Sequence, residues 1–269
     1  MRIRIFLLIL STLVSSEVLA KDYVFGIVPQ QSSKKLAKLW TPIMQKLSAD
    51  SGVTLKFATA KDIPTFEKRL SEGQYDFAYM NPYHFTVYND SPGYVALAHQ
   101  SDKRIKGILV VHKDSTMTQL EELDGATLAF PSPAAFAATI LPTANLRKSS
   151  IDFDTKFVSS HDSVYLAVAR GLLPAGGGIV RTFENTDPAV RNELKVLWKS
   201  DGYTPHAFAA HPNVPADTRE RVAKALTDLG NTDEGMELLG ALNFKTIQSA
   251  DDQEWDDIRA LEITALDEE

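Results

Sequence analysis

The chain of 269 residues contains no cysteine. Disulfide bonds are therefore excluded, and the stability of the folded chain must come from the packing of its core. A lipid anchor on a cysteine at a leader-cleavage site is excluded for the same reason. The chain has 6 histidines, and none lies at a zinc-binding spacing from another ligand. The sequence therefore predicts no metal site and no cofactor.

An excess of positive charge is also lacking. The formal net charge is -7 at pH 7, and the sequence contains no basic run. Such a composition is not typical of proteins that bind nucleic acids or anionic membrane surfaces. A small anionic ligand is still compatible with it, because a ligand in a cleft responds to the local field and not to the net charge.

Motifs for covalent catalysis are missing as well. Ser160, His161 and Asp162 are the residue types of a hydrolase triad, but consecutive side chains diverge and cannot relay a proton. The glycines at 176–178 lack the spacing of a dinucleotide-binding loop and the end of a P-loop. They favour instead a strand whose backbone passes close to a neighbouring helix. We therefore predict that the chain is not an enzyme.

One apolar run stands out near the N-terminus. Arg2 and Arg4 precede an apolar stretch at residues 5–14, and a small-x-Ala pattern ends at Ala20. This order is typical of a cleaved secretory leader, and the run is too short to span a membrane. Residues 1–20 are therefore predicted to be a signal peptide, and the mature protein is expected in the periplasm.

Strand and helix patterns alternate after the leader. Apolar strands are predicted at residues 23–28, 53–58, 76–80, 95–99, 107–112, 127–130, 153–158, 176–180 and 207–210. Helical patterns separate most of them, as in residues 34–49, where apolar residues recur three and four positions apart. This alternation predicts an α/β fold with mostly parallel sheets. Residues 114–200 are expected to form a second, smaller unit of the same kind.

The most informative stretch is residues 73–85. An apolar strand stops there at Asn81 and Pro82, and a helical pattern begins at once. In open α/β proteins a polar corner between a strand and a helix N-terminus is where ligands are held. The corner carries polar groups on Tyr79, Asn81 and Tyr83 but no obvious nucleophile. It favours binding of a small molecule over its cleavage.

A second strand–helix corner lies at residues 131–139. A helix that begins after Ser132 would leave its first N–H groups free to bind an anion. Alternatively, Ser132 would simply cap that helix, and the sequence favours neither interpretation. Arg181 directly follows a predicted strand. It either binds the oxygens of an anion through paired hydrogen bonds or forms a surface ion pair with Glu184.

Two further candidates are less specific. His161 follows the end of a strand and is placed to project into a cleft. Lys103, Arg104 and Lys106 form a basic group, of which at least one member is expected to be ordinary solvated surface.

These segments together resemble one family. The similar segments occur in the same order, at residues 25–31, 73–85, 102–111, 130–138, 160–164 and 176–183. The chain is similar to the phosphate/phosphite/phosphonate-type solute-binding proteins of ABC importers, and the resemblance covers nearly all of it after the leader. It implies the type II periplasmic-binding fold, in which two α/β lobes joined by two crossing strands close on a ligand.

The resemblance also implies lobe boundaries. Residues 21–110 and 204–269 would form lobe 1, and residues 111–203 would form lobe 2. The crossings would fall near residues 108–113 and 200–205. These boundaries agree with the second unit that the alternating pattern predicts.

The departures from the family concern the ligand. Phosphonate-binding members have a Ser/Thr-rich turn where this chain has Ser132, Pro133, Ala134, Ala135 and Phe136. Tyrosines that such members carry near the positions of Ile63 and Lys106 are absent here, whereas the cleft histidine of the family matches His161. Since each unpaired oxygen costs about 1–3 kcal/mol, a hydroxyl-poor turn suggests a different ligand, larger or less charged.

The function that these observations predict is capture of a small, anionic ligand between two lobes and its delivery to an ABC permease in the inner membrane. Signalling to a membrane histidine kinase is the alternative, and an enzyme on the same fold is a distant third. A monomer is expected. The predicted ligand-binding residues are Gln30, Tyr79, Asn81, Tyr83, Lys106, Ser132, Ala134, Ala135, Phe136, His161 and Arg181.

Overall fold

A computed structural model describes residues 21–101 and 103–266 of the chain. The predicted signal peptide, residues 1–20, lies outside the described residues. The strands are β1 Tyr23–Ile27, β2 Leu55–Ala58, β3 Phe77–Met80, β4 Val95–Gln100, β5 Gly107–His112, β6 Ala126–Phe130, β7 Phe153–Phe157, β8 Ala175–Ile179, β9 Leu194–Lys199, β10 Ala207–Ala210 and β11 Ile247–Ser249.

Helices cover both faces of the strands. They are α1 Ser33–Ser51, α2 Ile63–Ser71, α3 Pro82–Asp90, α4 Leu141–Lys148, α5 His161–Ala169, α6 Val180–Glu184, α7 Pro188–Arg191, α8 Ala216–Asp228, α9 Asp233–Ala241 and α10 Asp256–Arg259. A π-helical turn at Phe136–Ile140 leads directly into α4. Over the described ranges, no helix combines the length and the apolar character needed to cross a membrane.

The strands form two sheets, and both are mixed. The first has the order β11-β4-β10-β3-β1-β2, and the second has the order β7-β6-β8-β5-β9. In the first sheet, β2 and β3 run parallel to β1, whereas β10 and β11 are antiparallel to their neighbours. The two-sheet α/β architecture was predicted from the alternation, but the mostly parallel sheets were not found.

The second sheet shows why the strands are not mostly parallel. β7 and β8 run parallel to β6, but β5 pairs antiparallel with both β8 and β9. β5 is the strand that enters this sheet from the first one, so it arrives from the opposite side to the strands that follow helices. β9 and β11 were missed at the sequence level, and both pair antiparallel at sheet edges.

Two connections join the sheets. The chain leaves the first sheet after β4 and enters the second at Gly107, and it returns between β9 and β10. The connections pair with each other at Ile105 and Tyr203, which exchange backbone hydrogen bonds of 2.8 and 3.0 Å. The second crossing was expected at residues 200–205. The first lies before residue 107, because residues 107–110 already belong to β5, so the expected boundary at residue 110 falls inside a strand of the second sheet.

The hydrophobic core of the described residues consists of three clusters, of which two lie within the second unit and the largest reaches across both units. Its largest cluster packs around the first sheet and α1, and it extends to Ala134, Phe136 and Ile179 of the second unit. Phe136 is fully buried, and burial of a phenylalanine side chain stabilises a fold by about 1.5–3 kcal/mol. The corner that precedes α4 is therefore held against the first sheet by packing.

The three consecutive glycines of β8 allow this close packing. A Cβ atom built at Gly177 would lie 1.9 Å from the carbonyl oxygen of Ala138, and one at Gly178 would lie 2.1 Å from the hydroxyl oxygen of Tyr165. Real Cβ atoms do not approach other atoms so closely. The predicted close approach of this strand to neighbouring helices is thus confirmed, and it fixes the π-helical turn directly over the second sheet.

Candidate ligand-binding site

The first corner joins β3 to α3. Asn81 is the N-cap of α3, where its Oδ1 accepts a 2.8 Å hydrogen bond from the His84 N–H, and Pro82 follows in the first turn. The Nδ2 of Asn81 donates across to the carbonyl oxygen of Ala134 at 3.1 Å. One amide side chain therefore caps its own helix and also links the two units.

The second corner joins β6 to the π-helical turn and is built differently. No side chain caps this helix, whose N-cap position is Ala135. The first intrahelical bonds are donated by Thr139 and Ile140, and both go to the carbonyl oxygen of Ala135. The N–H groups of residues 136–138 therefore have no acceptor within the helix, and the N-terminal dipole favours an anionic or polar oxygen beside them.

Polar side chains meet across the gap between the corners. An Arg181 Nη2 donates to the Oε1 of Gln30. The Nε2 of Gln30 lies 3.0 Å from the Nε2 of His206, and an amide nitrogen only donates, so this ring nitrogen of His206 is the acceptor. His206 therefore carries its proton on Nδ1, which makes no hydrogen bond to any described residue.

Two adjoining cavities lie between the sheets. The smaller, of ≈ 10 Å³, is lined by Gln30, Asn81, His161 and residues 135–138. The larger, of ≈ 130 Å³, is lined by Tyr79, Arg181 and the basic group at residues 103, 104 and 106. Ile105, Ile179 and His206 line both cavities. The cavities are therefore parts of one cleft, with His206 between them.

Burial sets the charge of the imidazoles in this cleft. Desolvation, with the Arg181 guanidinium as the second cause, lowers the pKa of His161 from 6.5 to about 3. The pKa of His206 is also lowered well below 6.5, again mainly by burial. Both rings are therefore neutral at pH 7, and Arg181 is the permanent charge that acts on both of them. Burial raises the pKa of the Tyr79 hydroxyl, although Arg181 opposes this shift, and Tyr79 stays a hydrogen-bond donor.

A hydrogen-bond chain orients His161. Its Nδ1 lies 3.1 Å from the Thr182 hydroxyl, which lies 2.8 Å from the hydroxyl of Tyr165. The Thr182 hydroxyl also lies 3.2 Å from the carbonyl oxygen of Ile179, so it has two possible acceptors. If it donates to Nδ1, the remaining proton of the neutral ring sits on Nε2. The Nε2 has no partner among residues 21–101 and 103–266, and the ring lines the smaller cavity. An oxyanion beside Nε2 is compatible with this tautomer only.

Most of the predicted site residues come together in the cleft. Gln30, Asn81, Ala135, Phe136 and His161 line the smaller cavity, and Tyr79, Lys106 and Arg181 line the larger one.

Three predicted residues lie elsewhere. Tyr83 is buried in α3, where its hydroxyl accepts the N–H of Leu266 at 2.9 Å. Ala134 lines neither cavity, since its carbonyl oxygen is bonded to Asn81. Ser132 also lines neither cavity. It does not cap the helix either, because the helix begins at residue 136, too far along the chain. The Oγ of Ser132 is buried and makes no hydrogen bond to a described residue.

The alternative interpretation of Arg181 is not supported. In the part of the chain that the structure describes, no carboxylate oxygen lies within 4.0 Å of its guanidinium, and Glu184 is an exposed residue. The hydrogen-bonding partner of Arg181 is an uncharged amide, and the face of Phe244 lies 5.6 Å from its central carbon.

His206 is the cleft residue that sequence reasoning missed. It directly precedes the apolar strand β10, is 3% exposed, and stacks on Tyr79 with ring centroids 5.0 Å apart. Its position after the second crossing was the one signal in the sequence. The histidines at residues 84, 99 and 112 pair with the carboxylates of Glu67, Glu254 and Glu193.

Two α/β units, two crossings and a polar cleft between them define a two-lobed binding protein. A sequence model of the family described as "ABC transporter, phosphonate, periplasmic substrate-binding protein" matches residues 25–255. The chain belongs to this family of periplasmic solute-binding proteins. The resemblance noted in the sequence is thereby confirmed.

Individual relatives agree with this assignment. The chain is 25% identical to the phosphonates-binding periplasmic protein of Escherichia coli K12 over an alignment of 275 positions, which covers 94% of this chain and 80% of that protein. In structure it is similar to the binding component of an ABC phosphonate transporter from Pseudomonas aeruginosa, with a TM-score of 0.84, 22% identity, and coverage of 91% and 86% of the two chains.

A second solved structure shows the same fold with a ligand. Prochlorococcus marinus PhnD1 in complex with methylphosphonate matches with a TM-score of 0.82 and 18% identity, over 90% of this chain and 97% of that chain. These similarities confirm the two-lobed type II fold. The named relatives are binding proteins.

Proposed function

We propose that this protein captures a small solute bearing an oxyanion, a phosphonate or a chemically similar group, in the cleft between its two sheets. The observation that carries the proposal is Arg181. Its side chain is half-buried between the units, and among the described residues its hydrogen-bond acceptor is an uncharged amide oxygen of Gln30. A partly desolvated guanidinium with no counter-charge among the described residues favours an anion in the same cleft.

The other groups that face the cleft are mainly donors. The N–H groups of residues 136–138, the Nδ1 of His206 and the hydroxyl of Tyr79 have no acceptor among the described residues. A phosphonate group offers three acceptor oxygens and little to donate. The backbone amides would replace the hydroxyl groups that the alanine-containing turn lacks, so the turn binds an oxyanion through N–H donors alone.

Closure would complete the site. Contacts that join the units include the bond from Asn81 to Ala134 and a 3.0 Å bond from the His161 N–H to the carbonyl oxygen of Gln30. The Lys35 ammonium also donates to the carbonyl oxygen of Asn185 at 2.5 Å. A ligand that contacts both corners binds the closed arrangement more tightly than an open one, and it therefore shifts the population toward closure.

The location and the partner follow from the family. We infer that the mature protein begins at Lys21 and lies in the periplasm as a monomer. In its closed form it presents its surface to an ABC permease. Mass spectrometry of the exported protein tests cleavage after Ala20. Small-angle scattering tests both the monomer and a decrease in radius of gyration when ligand is added.

Calorimetric titration with methylphosphonate, phosphate, sulfate and acetate tests the ligand class. We expect at least one tetrahedral oxyanion to bind, and we expect Arg181→Met to weaken its binding by about 10- to 100-fold, as loss of a charged hydrogen bond does. Arg170→Met is the matched control, because Arg170 is exposed at the end of α5. Binding of no oxyanion, or equal effects of the two substitutions, would contradict the proposal.

A further inference from the structure

The larger cavity carries a charge pattern that binding of one oxyanion does not require. Among the described residues of its lining, four side chains are basic and one is acidic, those of Lys103, Arg104, Lys106, Arg181 and Glu184. The chain as a whole has a formal net charge of -7. A local excess of cations in an acidic protein points to an anion at that place.

The four cations differ in their hydrogen-bond and ion-pair partners. Arg104 is paired with Asp257 at 2.6 Å, and Lys103 donates to the carbonyl oxygen of Asn243 at 3.1 Å. The Lys106 ammonium, in contrast, has neither a hydrogen bond nor an ion pair with any residue that the structure describes. Lys106 is therefore the cation of this cavity that has no partner among the described residues, whereas Lys103 and Arg181 donate to uncharged oxygens.

The position of the larger cavity relates it to the proposed oxyanion site. It adjoins the smaller cavity at Ile105, Ile179 and His206. Arg181 lines the larger cavity and also bonds to Gln30, which lines the smaller one. In the arrangement described, the smaller cavity has room for about one water molecule, so the lobes must separate before an oxyanion reaches the N–H groups of residues 136–138. A ligand bound there would extend its other end past His206 toward Lys106.

We propose that the solute carries a second anionic group. The chemical class of the solute is then the carboxyalkylphosphonates and similar compounds with two anionic groups. The inference rests on the proposed function, since it assumes that one oxyanion binds at the second corner. The carboxylate would bind between Lys106 and Arg181. The ≈ 130 Å³ of the larger cavity has room for a short chain and a carboxylate, because a water molecule takes about 30 Å³ in the liquid.

A ligand with a cationic end is disfavoured by the same lining. An ammonium group in the larger cavity would face Lys106 and Arg181, with Glu184 as the single carboxylate among the described residues of the lining. Glu184 and Lys106 are both exposed, so solvent screens both charges, and the half-buried Arg181 adds to the excess of cations. The cavity therefore distinguishes ligands by the sign of their second charge.

Calorimetry with three ligands tests this inference on the mature protein. The ligands are methylphosphonate, 3-phosphonopropionate and 3-aminopropylphosphonate, which share one headgroup and differ in the distal end. We expect 3-phosphonopropionate to bind about tenfold or more tightly than methylphosphonate, and 3-aminopropylphosphonate to bind more weakly than either. We also expect Lys106→Met to reduce the affinity for 3-phosphonopropionate about tenfold more than that for methylphosphonate.

Lys38→Met is the control substitution, because Lys38 is exposed on α1, and it is expected to leave the order of the three ligands unchanged. If methylphosphonate binds as tightly as 3-phosphonopropionate, or if the ammonium compound binds most tightly, the second anionic subsite is wrong while the oxyanion site stands. If none of the three binds, the proposed oxyanion site fails, and this inference fails with it.

Discussion

The two strand–helix corners of the cleft have the same topology but opposite chemistry. At the first corner, the side-chain oxygen of Asn81 caps α3 by accepting a hydrogen bond from the N–H of His84. At the second corner, Ala135 provides no side-chain cap, so the N–H groups of residues 136–138 remain available. The first corner therefore links the units, and the second offers donors to a ligand.

The second corner differs from the first in what its side chains lack. At the sequence level, Ala134 and Ala135 are interpreted as the loss of hydroxyl groups. In the fold, Ala135 leaves the helix without a side-chain cap. The glycines of β5 and β8 let the π-helical turn lie directly against these strands, since Cβ atoms at Gly107 and Gly177 would clash with carbonyl oxygens of the turn.

The largest effect is expected when the second corner is made to resemble the first. Ala135→Asp places a carboxylate at the N-cap position, where it accepts from the free N–H groups and stabilises the helix. The same carboxylate occupies the donors that an anionic ligand needs. We expect oxyanion affinity to fall by more than about 100-fold, with no loss of thermal stability.

Calorimetry and thermal unfolding measured on the same samples check this prediction. Ala135→Asn is the control, because it caps the helix without adding a charge, and it should weaken binding less. An Ala135→Asp protein that still binds oxyanions as tightly as the wild type would show that the second corner is not the oxyanion site.

The next effect concerns the packing of the second corner. Gly177→Ala introduces a Cβ atom 1.9 Å from the Ala138 carbonyl oxygen, a backbone atom that cannot simply rotate away. We expect the free energy of unfolding to fall by about 3 kcal/mol, at the upper end for overpacking. Urea denaturation measures this loss.

Gly240→Ala is the matched control for that substitution. Gly240 lies inside α9, and a Cβ atom built there meets nothing within 4 Å. Alanine should stabilise this helix by up to about 1 kcal/mol. Similar losses at the two positions would mean that the close approach of the turn to β8 does not limit the packing.

His161, which flanks the second corner, should make the free energy of unfolding depend on pH. The pKa of His161 is lowered from 6.5 to about 3 in the folded chain. The unfolded chain therefore binds a proton that the folded chain does not, and stability is lost as pH falls below about 6.5 toward 3. Between pH 7 and pH 5, this imidazole should reduce the free energy of unfolding by about 2 kcal/mol.

Urea denaturation at pH 7 and pH 5 tests the sign and the size of this change. The wild type also contains His206, whose pKa is shifted in the same direction, so the comparison with His161→Gln isolates one residue. The variant should lose about 2 kcal/mol less than the wild type. An unchanged pH dependence would place His161 in a hydrated environment.

The smallest effect is expected at the first corner. Asn81→Ala removes both the cap of α3 and the bond to Ala134, whereas Asn81→Asp keeps an oxygen that caps the helix. We expect the alanine variant to be less stable than the aspartate variant by about 1 kcal/mol, the typical contribution of an N-cap. Equal stabilities in thermal unfolding would show that the link to Ala134, and not the cap, is the role of Asn81.

Much of the fold was predictable because its signals are local. The strand that stops at Asn81 and Pro82, the apolar stripe of α1 and the glycines of β8 each specify an element from a few neighbouring residues. β9 and β11 were missed because they are edge strands whose residues are mostly half-exposed or exposed. Without a continuous apolar run, a short strand has little signal in the sequence.

The candidate site was predictable in part for the same reason. Residues such as Arg181 and His161 follow strand ends, and the ends of neighbouring strands meet at one edge of a sheet. The direction of a side chain is not local information. Tyr83 and Tyr79 are both near the first corner, but packing turns the hydroxyl of Tyr83 toward Leu266 and leaves Tyr79 in the cleft.

By itself, the sequence determined the alternation of elements, the two corners and the family, because periodicity and turn residues act within a few positions of the chain. Only the tertiary structure decided that His206 joins Gln30 in the cleft across 176 positions of sequence, and that Arg181 has no carboxylate partner within the described ranges. Contacts and charge compensation depend on which distant residues the folded chain brings together, and no local pattern records that.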